Sequence, residues 1–559
     1  MIGMELKTYQ QQMLDVLAKF LTEAKAVGSA TAFAENRDAP EYEPRYSPLK
    51  GLEDAPYICL RLPTGGGKTL LGACSIRLAA ENFLEQEKPL VLWLVPTDVI
   101  RQQTLKLLRD TESFYRQVLD AVFKSVRIFD VTEFRQLRPQ DLTQSLNIFV
   151  ATFQSFRVTN KEGRKVYQAN EFLEPCFRGM VAPAEKSFGN LTAQLRPLMI
   201  IDEAHNYSSP LSLEIMQKLR PAAVIELTAT PAQGSNVLCR VSAEELKAEA
   251  MIKLPIELAE NLSWEAAADS AVQRRTALEA LAAQESEYIR PIALFQAESR
   301  DREVTVEVVR KYLIESAKVP ENQIAVATGE RRELEGVDLS ARICPIRYVI
   351  TVQALKEGWD CPFAYVFCSV ARIHSPRDAE QLLGRVLRMP YARRRASAEL
   401  NRAYAFVAVS DWLTAAAQIR DNLLNMGFEQ TEAKRAIQPT LLDVTRTIRL
   451  VTDERPQLGT LNLNLQDAAI VDKTPDGYEL TLENLSASDL RELAANANKI
   501  FKSEAAREKL LKATGHEAFA AEASPAERGV KFAVPMLCLD FGEGARLQSR
   551  RIFYRRIGD

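Results

Sequence analysis

A glycine-rich octapeptide limits what this chain can fold into more than any other feature. Leu62–Thr69 reads LPTGGGKT; it follows the apolar run Tyr57–Leu62 and precedes Leu70–Ala80, which has helical spacing. Glycines let the backbone curl so that its N–H groups converge, and the N-terminus of the next helix adds a positive dipole end. The pattern predicts a strand, a phosphate-binding loop and a helix, with these candidate nucleotide ligands: Thr64, Gly65, Gly66, Gly67, Lys68 and Thr69.

Two side chains of the loop suit a nucleoside triphosphate and its metal. Lys68 can reach the β and γ phosphates, and the Thr69 hydroxyl can ligate Mg²⁺. The general form of the motif has a glycine five residues before Gly67, where this sequence has Leu62. The loop alone therefore predicts a nucleotide binder without specifying a reaction.

A second motif, which is acidic, indicates hydrolysis. The apolar run Leu198–Ile201 ends in Asp202, Glu203, Ala204 and His205. A carboxylate at the end of a buried strand beside the phosphate loop can hold Mg²⁺ through water, and the adjacent Glu203 can polarise an attacking water. The alternative is a solvated acidic turn. The order of the two motifs, each following an apolar run, favours catalytic roles for Lys68, Asp202 and Glu203.

Short apolar runs alternate with amphipathic stretches twice along the chain, which is typical of parallel sheets covered by helices. The fold class that this predicts is α/β, with two doubly wound parallel-sheet domains in tandem. The expected strands of the first domain are Tyr57–Leu62, Leu90–Val95, Val126–Phe129, Leu146–Ala151, Leu198–Ile201 and Val224–Leu227. Those of the second are Ile292–Phe295, Ile324–Ala327, Tyr348–Val352, Ala364–Cys368 and Tyr404–Val409.

Changes in composition set the expected domain boundaries. We expect a first nucleotide-binding domain over residues 1–240 and a second over 291–438. The charged, Ala/Glu-rich residues 241–290 are expected to form a helical linker. Residues 439–559 are expected to form an accessory α+β domain, with strands, then a helical stretch, then a hairpin.

Composition excludes several classes of protein. The 8 cysteines form no CxxC pair and there are 3 histidines, so a structural zinc site is not expected. The chain has neither an apolar run of about 18 residues nor a signal-peptide layout at its start, so we expect a cytoplasmic protein with reduced cysteines and no membrane contact. The net charge of −3 indicates that any nucleic acid would be held by a local basic lining. One candidate is the cluster Arg393–Arg395, whose alternative role is solvated surface.

With these motifs in order, residues 5 to 410 resemble superfamily two helicases, which have two RecA-like domains. The pair Tyr9-Gln10 resembles the adenine-reading motif, which implies that Gln10 binds the base. Two short strings resemble the motifs that contact the nucleic acid, through Pro96, Thr97, Thr152 and Gln154. Thr228–Pro231 resembles the motif that couples hydrolysis to domain movement, with a coupling role for Thr228, Thr230 and His205.

The second domain carries two further resemblances to the same superfamily. Thr351–Asp360 resembles motif V, which implies that Thr351 contacts the nucleic acid and that Gly358 and Asp360 face the nucleotide. Gln381–Arg388 resembles motif VI, with Gln381, Arg385 and Arg388 in catalytic roles. The two arginines are spaced to share one face of a helix, and guanidinium groups can neutralise charge on the γ phosphate. Hydrolysis would then require closure of the two domains.

Two segments narrow the resemblance further. Tyr348–Ala392 and Ala325–Leu339 are similar to the motor subunit of type III restriction enzymes. This implies an ATP- and Mg²⁺-dependent DNA translocase or helicase in restriction or phage defence. It also implies double-stranded DNA as the main partner and a methyltransferase, nuclease or other defence subunit as a further one. An RNA helicase, or a nucleotide-gated nucleic-acid-binding switch, remains an alternative.

No nuclease centre is expected in this chain. A PD…(D/E)xK centre needs clustered carboxylates and a lysine. After residue 440, Pro475-Asp476 is the one tempting start, and Glu508-Lys509 lies in a polar helical run. We therefore expect either that the chain is a fragment of a longer protein or that a partner supplies the nuclease.

Overall fold

The structure is a computed structural model. It describes residues 6–37, 45–157, 165–181, 183, 185–203, 210–261, 263–328, 331, 333–334, 336–352, 361–370, 383–408, 412–439, 446–459, 461, 465, 469–474, 477–485, 492–494, 496–514, 533–536 and 553–556. The chain separates into two compact units, Met1–Leu441 and Leu442–Asp559. The first unit contains two parallel sheets, which are described before the second unit.

The first sheet contains seven parallel strands, most of them buried along their whole length. They are β1 (Tyr57–Arg61), β2 (Leu90–Val95), β3 (Val126–Asp130), β4 (Leu146–Thr152), β5 (Leu198–Asp202), β6 (Ala223–Thr228) and β7 (Val237–Arg240). Their order is β3-β4-β2-β5-β6-β1-β7. Because β5, β6 and β1 are neighbours, the acidic motif and the phosphate loop leave the sheet at the same edge.

The second sheet also contains seven parallel strands. They are β8 (Ile256–Asn261), β9 (Ile292–Gln296), β10 (Ile324–Val326), β11 (Tyr348–Thr351), β12 (Ala364–Ser369), β13 (Ala403–Ala408) and β14 (Ile437–Pro439). Their order is β10-β11-β9-β12-β13-β8-β14. The predicted fold class, two tandem parallel-sheet domains, is confirmed, and every strand expected from an apolar run is present.

The segment expected to be a helical linker is different in the structure. Within residues 241–290, Ile256–Asn261 forms β8, which pairs in parallel with β13 and β14. The helix Trp264–Ala282 packs on β12 and β13. Because β8 mixes apolar and charged residues and lies just before an Ala/Glu-rich helix, its composition resembles that of the helix. The second sheet therefore begins at about residue 256 instead of 291.

Helices cover both sheets of the first unit. They are α1 (Thr8–Val27), α2 (Ser29–Asn36), α3 (Lys68–Ala79), α4 (Asp98–Arg109), α5 (Phe114–Asp120), α6 (Pro139–Gln144), α7 (Phe188–Leu195), α8 (Pro210–Leu219), α9 (Ala243–Ala248), α10 (Trp264–Ala282), α11 (Val306–Glu315), α12 (Trp412–Asn425) and α13 (Gln430–Ala436). Side-chain hydroxyls start several of them: Thr97 accepts from the N–H of Ile100 at α4, and Ser263 from that of Ala266 at α10.

The helix after the phosphate loop lies unusually close to the sheet. A Cβ built on Gly72 of α3 would lie 2.8 Å from Cη2 of Trp93 and 3.0 Å from Cδ1 of Leu227. Trp93 has no exposed surface and stands in β2 at the centre of the sheet. Only glycine permits this approach, so α3 and the loop before it are held rigidly on the sheet.

The second unit is a small α+β structure. Its strands β15 (Arg446–Thr452), β16 (Ala469–Thr474) and β17 (Gly477–Leu485) form an antiparallel sheet of order β15-β17-β16. The helices α14 (Ala497–Ile500) and α15 (Glu504–Thr514) follow, and Phe501 and Leu510 contribute to a common core with Leu480 and Leu482. A final hairpin pairs β18 (Ala533–Met536) with β19 (Phe553–Arg556). The predicted succession of strands, helix and hairpin is confirmed.

Two further findings concern the described residues. None of their helices combines the length and the apolar character needed to cross a membrane. The seven cysteines in this part of the chain are free thiols; Cys74 is partly exposed and the other six are buried.

Candidate active site

The phosphate loop joins β1 to α3 with two glycines in the left-handed region. Gly65 has φ +91° and Gly67, immediately before α3, has φ +83°. A Cβ built on Gly67 would lie 2.7 Å from Nε2 of Gln10. A larger residue at either position would be strained, and at Gly67 it would also collide with Gln10. The loop therefore presents its backbone to a ligand at the N-terminus of a helix, which suits phosphate.

The start of α1 supports this loop from the side. The Tyr9 hydroxyl donates a 2.7 Å hydrogen bond to the carbonyl of Gly66, and Nε2 of Gln10 donates to the Tyr9 hydroxyl at 3.2 Å. Oε1 of Gln10 accepts from the backbone N–H of Lys7 at 3.0 Å. Burial raises the pKa of the Tyr9 hydroxyl, so it remains a donor. The structure places Gln10 beside the loop and shows a supporting contact from Tyr9 that sequence reasoning missed.

The two main catalytic candidates of the first domain meet directly. The Lys68 ammonium forms an ion pair with Oε1 of Glu203, and both side chains are mostly buried. Glu203 follows β5 with φ +55°, a conformation that is uncommon for a residue with a side chain. Its N–H donates to the carbonyl of Leu227 in β6 at 2.8 Å. The backbone is thus turned so that the carboxylate points to the phosphate loop.

Asp202 is the last residue of β5 and directly precedes Glu203. Burial, and then the negative charge of Glu203, raise the pKa of the Asp202 carboxyl, while Lys68 acts in the opposite direction. Its Oδ1 is buried and has no hydrogen-bond partner among the residues that the structure describes. Carboxylate and hydroxyl oxygens are the ligands that Mg²⁺ prefers, so Asp202 with Thr69 in the first turn of α3 fits a magnesium ion. Among the described residues there is no group of three or more His, Cys, Asp or Glu side chains placed to hold a metal.

The coupling candidates adjoin the same loop. The carbonyl of Thr228, at the end of β6, accepts from the N–H of Leu62 at 3.0 Å. Its hydroxyl accepts from the N–H of Thr230 at 3.2 Å. The side chain of Thr228 is fully buried. Thr228 and Thr230 are therefore linked to the phosphate loop, while His205 lies outside the described residues.

Residues Gly384 and Arg388 of the second domain lie beside the phosphate loop. A Cβ built on Gly65 would lie 3.9 Å from Cγ of Arg388, and one built on Gly384 would lie 3.4 Å from Cγ2 of Thr64. Arg385 and Arg388 are both half-buried. Residues 383–386 are helical, but Arg388 lies beyond them in a β-bridge with Ile252, so the expected common helix face is wrong. Gly384 and Arg388 are nevertheless close to Thr64 and Gly65 of the loop. Gln381, Gly358 and Asp360 lie outside the described residues.

Sequence reasoning missed the segment that holds Arg388. Around the bridge to Ile252, the N–H of Lys253 donates to the carbonyl of Leu387 at 2.6 Å, and that of Met389 donates to the carbonyl of Met251 at 3.0 Å. Cγ2 of Ile252 lies 3.2 Å from a Cβ built on Gly65. The segment Met251–Lys253, between the two sheets, thus contacts the phosphate loop and pairs with Leu387–Met389. No motif in the sequence marks it.

The match to a known family agrees with this geometry. Residues 3–233 match the family described as type III restriction enzyme, res subunit. This part of the chain is a helicase-type ATPase domain. The matched segment includes the phosphate loop, Asp202, Glu203 and Thr228–Thr230, and it ends before the second sheet. No curated protein sequence matches the chain.

Solved structures with partial similarity include helicases and a restriction-modification enzyme. They include the ATP-dependent type ISP restriction-modification enzyme LlaBIII bound to DNA, at 14% identity and TM-score 0.44, over 76% of this chain and 30% of that one. The DUF1998 helicase MrfA bound to DNA and AMPPNP is 15% identical with TM-score 0.40, over 77% and 58%. The Hef helicase domain of Pyrococcus furiosus is 12% identical with TM-score 0.38, over 74% and 97%. The chain thus spans less than two thirds of the first two.

The candidate nucleic-acid-binding residues within 3–233 lie at or just after the ends of two neighbouring strands, β2 and β4. Val95 of β2 lies opposite Thr152 of β4, so the residues after both strands share one edge of the sheet. Pro96 is half-buried, and Thr97 and Gln154 are exposed there. Thr152 is buried and its hydroxyl bonds that of Ser155 at 3.1 Å. Thr97 and Gln154 are therefore available to a ligand, whereas Thr152 supports the turn that carries Gln154.

Two other nucleic-acid candidates are placed differently from expectation. Thr351, at the end of β11, has no exposed surface and lies opposite Gln296 of β9. In the Arg393–Arg395 cluster, Arg393 and Arg395 each form a 2.8 Å ion pair with Glu287. Arg395 is buried, whereas Arg394 is exposed. Two of the three arginines thus share one glutamate that is distant in sequence, and the Arg395 side chain is held within the second domain.

Proposed function

We propose that this chain is an ATP-dependent DNA translocase or helicase of a restriction or phage-defence system. The observation that carries the proposal is the approach of Arg388 and Gly384 to the phosphate loop. One nucleotide site is then built from two sheets, so hydrolysis depends on how the sheets meet. The match of residues 3–233 to the res subunit of restriction enzymes supports the choice of DNA and of a defence role.

The hydrolytic step follows from the positions of the side chains. The loop N–H groups and Lys68 bind the β and γ phosphates, and this draws Lys68 away from Glu203. Glu203 then orients and polarises the attacking water. Arg385 and Arg388 neutralise the charge that develops on the transferring phosphoryl group, and Gln381 assists them. Asp202 and Thr69 would hold Mg²⁺, which supplies further neutralisation of phosphate charge when bound.

Movement on DNA is assigned to the other parts of the site. Pro96, Thr97 and Gln154 contact the DNA backbone at the edge beyond β2 and β4, with Thr152 beneath them. Thr228 and Thr230, with His205, pass the state of the γ phosphate to this edge. In the second domain, Gly358 and Asp360 face the nucleotide and Thr351 positions the segment that meets DNA. Gln10 reads adenine.

The decisive experiment measures the ATPase rate with double-stranded DNA, single-stranded DNA and RNA, together with displacement of a triplex-forming strand. We expect the greatest stimulation by double-stranded DNA and ATP-dependent displacement of the third strand. Greater stimulation by RNA would indicate an RNA helicase. Nucleotide-dependent binding without sustained turnover or displacement would indicate a binding switch. The Lys68→Ala variant is the control for nucleotide dependence.

Cleavage is assigned to a different domain or subunit. The tempting pair Pro475-Asp476 lies outside the described residues, and Lys509 donates to the carbonyl of Val451 in the small unit at 3.0 Å. We expect no cutting of plasmid DNA by this chain with Mg²⁺ and ATP. Robust cutting of plasmid DNA by the purified chain alone would overturn this part of the proposal.

A further inference from the structure

The turn Met426–Gly427 ends α12, a helix of the second domain that packs against β8. The N–H of Met426 donates to the carbonyl of Leu423 at 3.1 Å, and that of Gly427 to Leu424 at 3.0 Å. Gly427 has φ +94°, as is usual for a glycine that terminates a helix. Nothing in the motifs of the sequence gives this turn a function.

The turn contacts the first domain through its backbone at three places. The N–H of Thr64 donates to the carbonyl of Met426 at 3.2 Å. Nη2 of Arg61, the last residue of β1, donates to the carbonyl of Gly427 at 3.3 Å. A Cβ built on Gly427 would lie 2.6 Å from the carbonyl oxygen of Ala229 and 3.0 Å from its Cβ. Glycine is therefore required here by contact with the other domain as well as by φ.

These three contacts join the parts of the site that hydrolysis must coordinate. Thr64 belongs to the phosphate loop, and Ala229 lies between the coupling residues Thr228 and Thr230. On the opposite side, the methyl group of Met426 lies 3.5 Å from a Cβ built on Gly384, next to Arg385. Met426 is 1% exposed, so the turn fills the space between the loop and motif VI.

We propose that the Met426–Gly427 turn is a positioning element that seats the phosphate loop and the Thr228–Thr230 segment against the second domain. Gly427 permits the approach that brings Arg385 and Arg388 to the γ phosphate. This inference rests on the proposed ATPase function. It predicts that the turn matters for the transferring phosphoryl group and little for binding of the diphosphate, which the loop and Lys68 hold by themselves.

The test separates this function from the ordinary role of a helix-ending glycine. Gly234 has φ +93°, and a Cβ built there meets nothing within 4 Å, so Gly234→Ala carries the backbone strain without the contact. The full chain is prepared with Gly427→Ala or Gly234→Ala. Affinities are then measured for ADP alone and for ADP with aluminium fluoride, a mimic of the transferring phosphoryl group, along with kcat and KM for ATP and the midpoint of thermal unfolding.

We expect Gly427→Ala to keep its affinity for ADP and to lose about tenfold in affinity for ADP with aluminium fluoride, a loss of about 1.4 kcal/mol. Its kcat should fall by a similar factor, with KM for ATP nearly unchanged. Gly234→Ala should lose thermal stability to a comparable extent and keep both affinities. An equal loss of both affinities in Gly427→Ala, or no loss of either, would overturn the proposal.

A second variant covers the case in which Gly427→Ala does not fold. Arg61→Met removes the hydrogen bond to the Gly427 carbonyl without straining the backbone, and should selectively weaken binding of ADP with aluminium fluoride. Unchanged binding in this variant would count against the turn. The unaltered chain could hydrolyse ATP without stimulation of the rate by DNA and without displacement of a triplex-forming strand. The proposed DNA motor would then be wrong, whereas the positioning role of the turn would be unaffected. Absence of ATP hydrolysis would overturn both.

Discussion

Lys68 and Glu203 form an ion pair across the mouth of the phosphate loop. The lysine that would hold the γ phosphate is thus neutralised by the carboxylate that would orient water. In the proposed mechanism, arrival of a triphosphate would replace one anionic partner of Lys68 with another and would release Glu203. The pair would then link binding of nucleotide to activation of the water.

Lys68→Ala removes the cation and leaves Glu203 without this partner. Because a hydrogen bond to a charged group contributes about 1.5–3 kcal/mol, we expect ATP binding to weaken by about ten- to a hundredfold. Titration with a fluorescent ATP analogue measures this change. Lys19→Ala, which alters an exposed lysine of α1, is the control. Wild-type affinity in Lys68→Ala would show that the loop amides hold the phosphates without the lysine.

Glu203→Gln preserves the shape of the side chain and removes its basicity. We expect kcat to fall by about 100- to 10,000-fold, the usual contribution of a general base, while ATP still binds. Single-turnover hydrolysis and nucleotide titration measure the two properties separately. The exposed Glu81 provides a matched Glu→Gln control. Normal hydrolysis by Glu203→Gln would remove Glu203 from the mechanism.

Gln10→Ala tests the base-reading role of α1. The side chain is 3% exposed and lies against Gly67, whereas its neighbour Gln11 is exposed. We expect discrimination of ATP from GTP to fall by about two- to tenfold, since one neutral hydrogen bond contributes about 0.5–1.5 kcal/mol. Competition between the two nucleotides measures it, with Gln11→Ala as the control. Equal effects of the two substitutions would indicate a role in folding of α1 alone.

Glu226 in β6 should make stability depend on pH. Burial raises the pKa of its carboxyl from 4.5 to about 7, although the hydroxyls of Tyr57 and Ser235 lie close to it. The native state therefore favours the protonated acid, and its contribution is present at low pH and lost as pH rises through about 7. Relative to the native sequence, Glu226→Gln should stabilise the fold by up to about 3 kcal/mol at pH 8, at about 1.4 kcal/mol per pKa unit, and by little at pH 4.

Urea unfolding of the Glu226→Gln variant and the unaltered chain at pH 4 and pH 8 measures this difference. The comparison of the two proteins at each pH cancels the contributions of other titrating groups. A variant that differs by the same free energy of unfolding at both pH values would show that folding does not raise the pKa of the Glu226 carboxyl.

Gly72→Ala tests how closely α3 must approach the sheet. Alanine favours a helix by about 1 kcal/mol over glycine, but the added methyl overlaps the Trp93 ring, and overpacking costs about 1–3 kcal/mol. We expect a net loss of about 1 kcal/mol, and at most about 2 kcal/mol, in the free energy of unfolding. In a double-mutant cycle with Trp93→Phe, the second substitution should relieve part of the first. Strictly additive effects would show that the ring is not the obstacle.

Local patterns were enough to predict the strands and the phosphate loop. Apolar runs such as Leu90–Val95 are buried on both faces of a parallel sheet, and the loop glycines have a conformation set by their own chemistry. The strand β8 was missed because Ile256–Asn261 mixes apolar and charged residues and pairs with strands more than a hundred residues away. Its parallel partners exist only after the second sheet has assembled.

The sequence by itself determined that this chain has two parallel sheets and a phosphate loop followed, at the end of a later buried strand, by Asp202 and Glu203. Tertiary structure decided what these motifs meet. It paired Lys68 with Glu203, placed Arg388 in a bridge with Ile252 instead of on the predicted helix, and paired both Arg393 and Arg395 with Glu287. The physical reason is that dihedral preferences and apolar periodicity act within a few residues, whereas charge pairing and close backbone approach depend on segments that only the folded chain brings together.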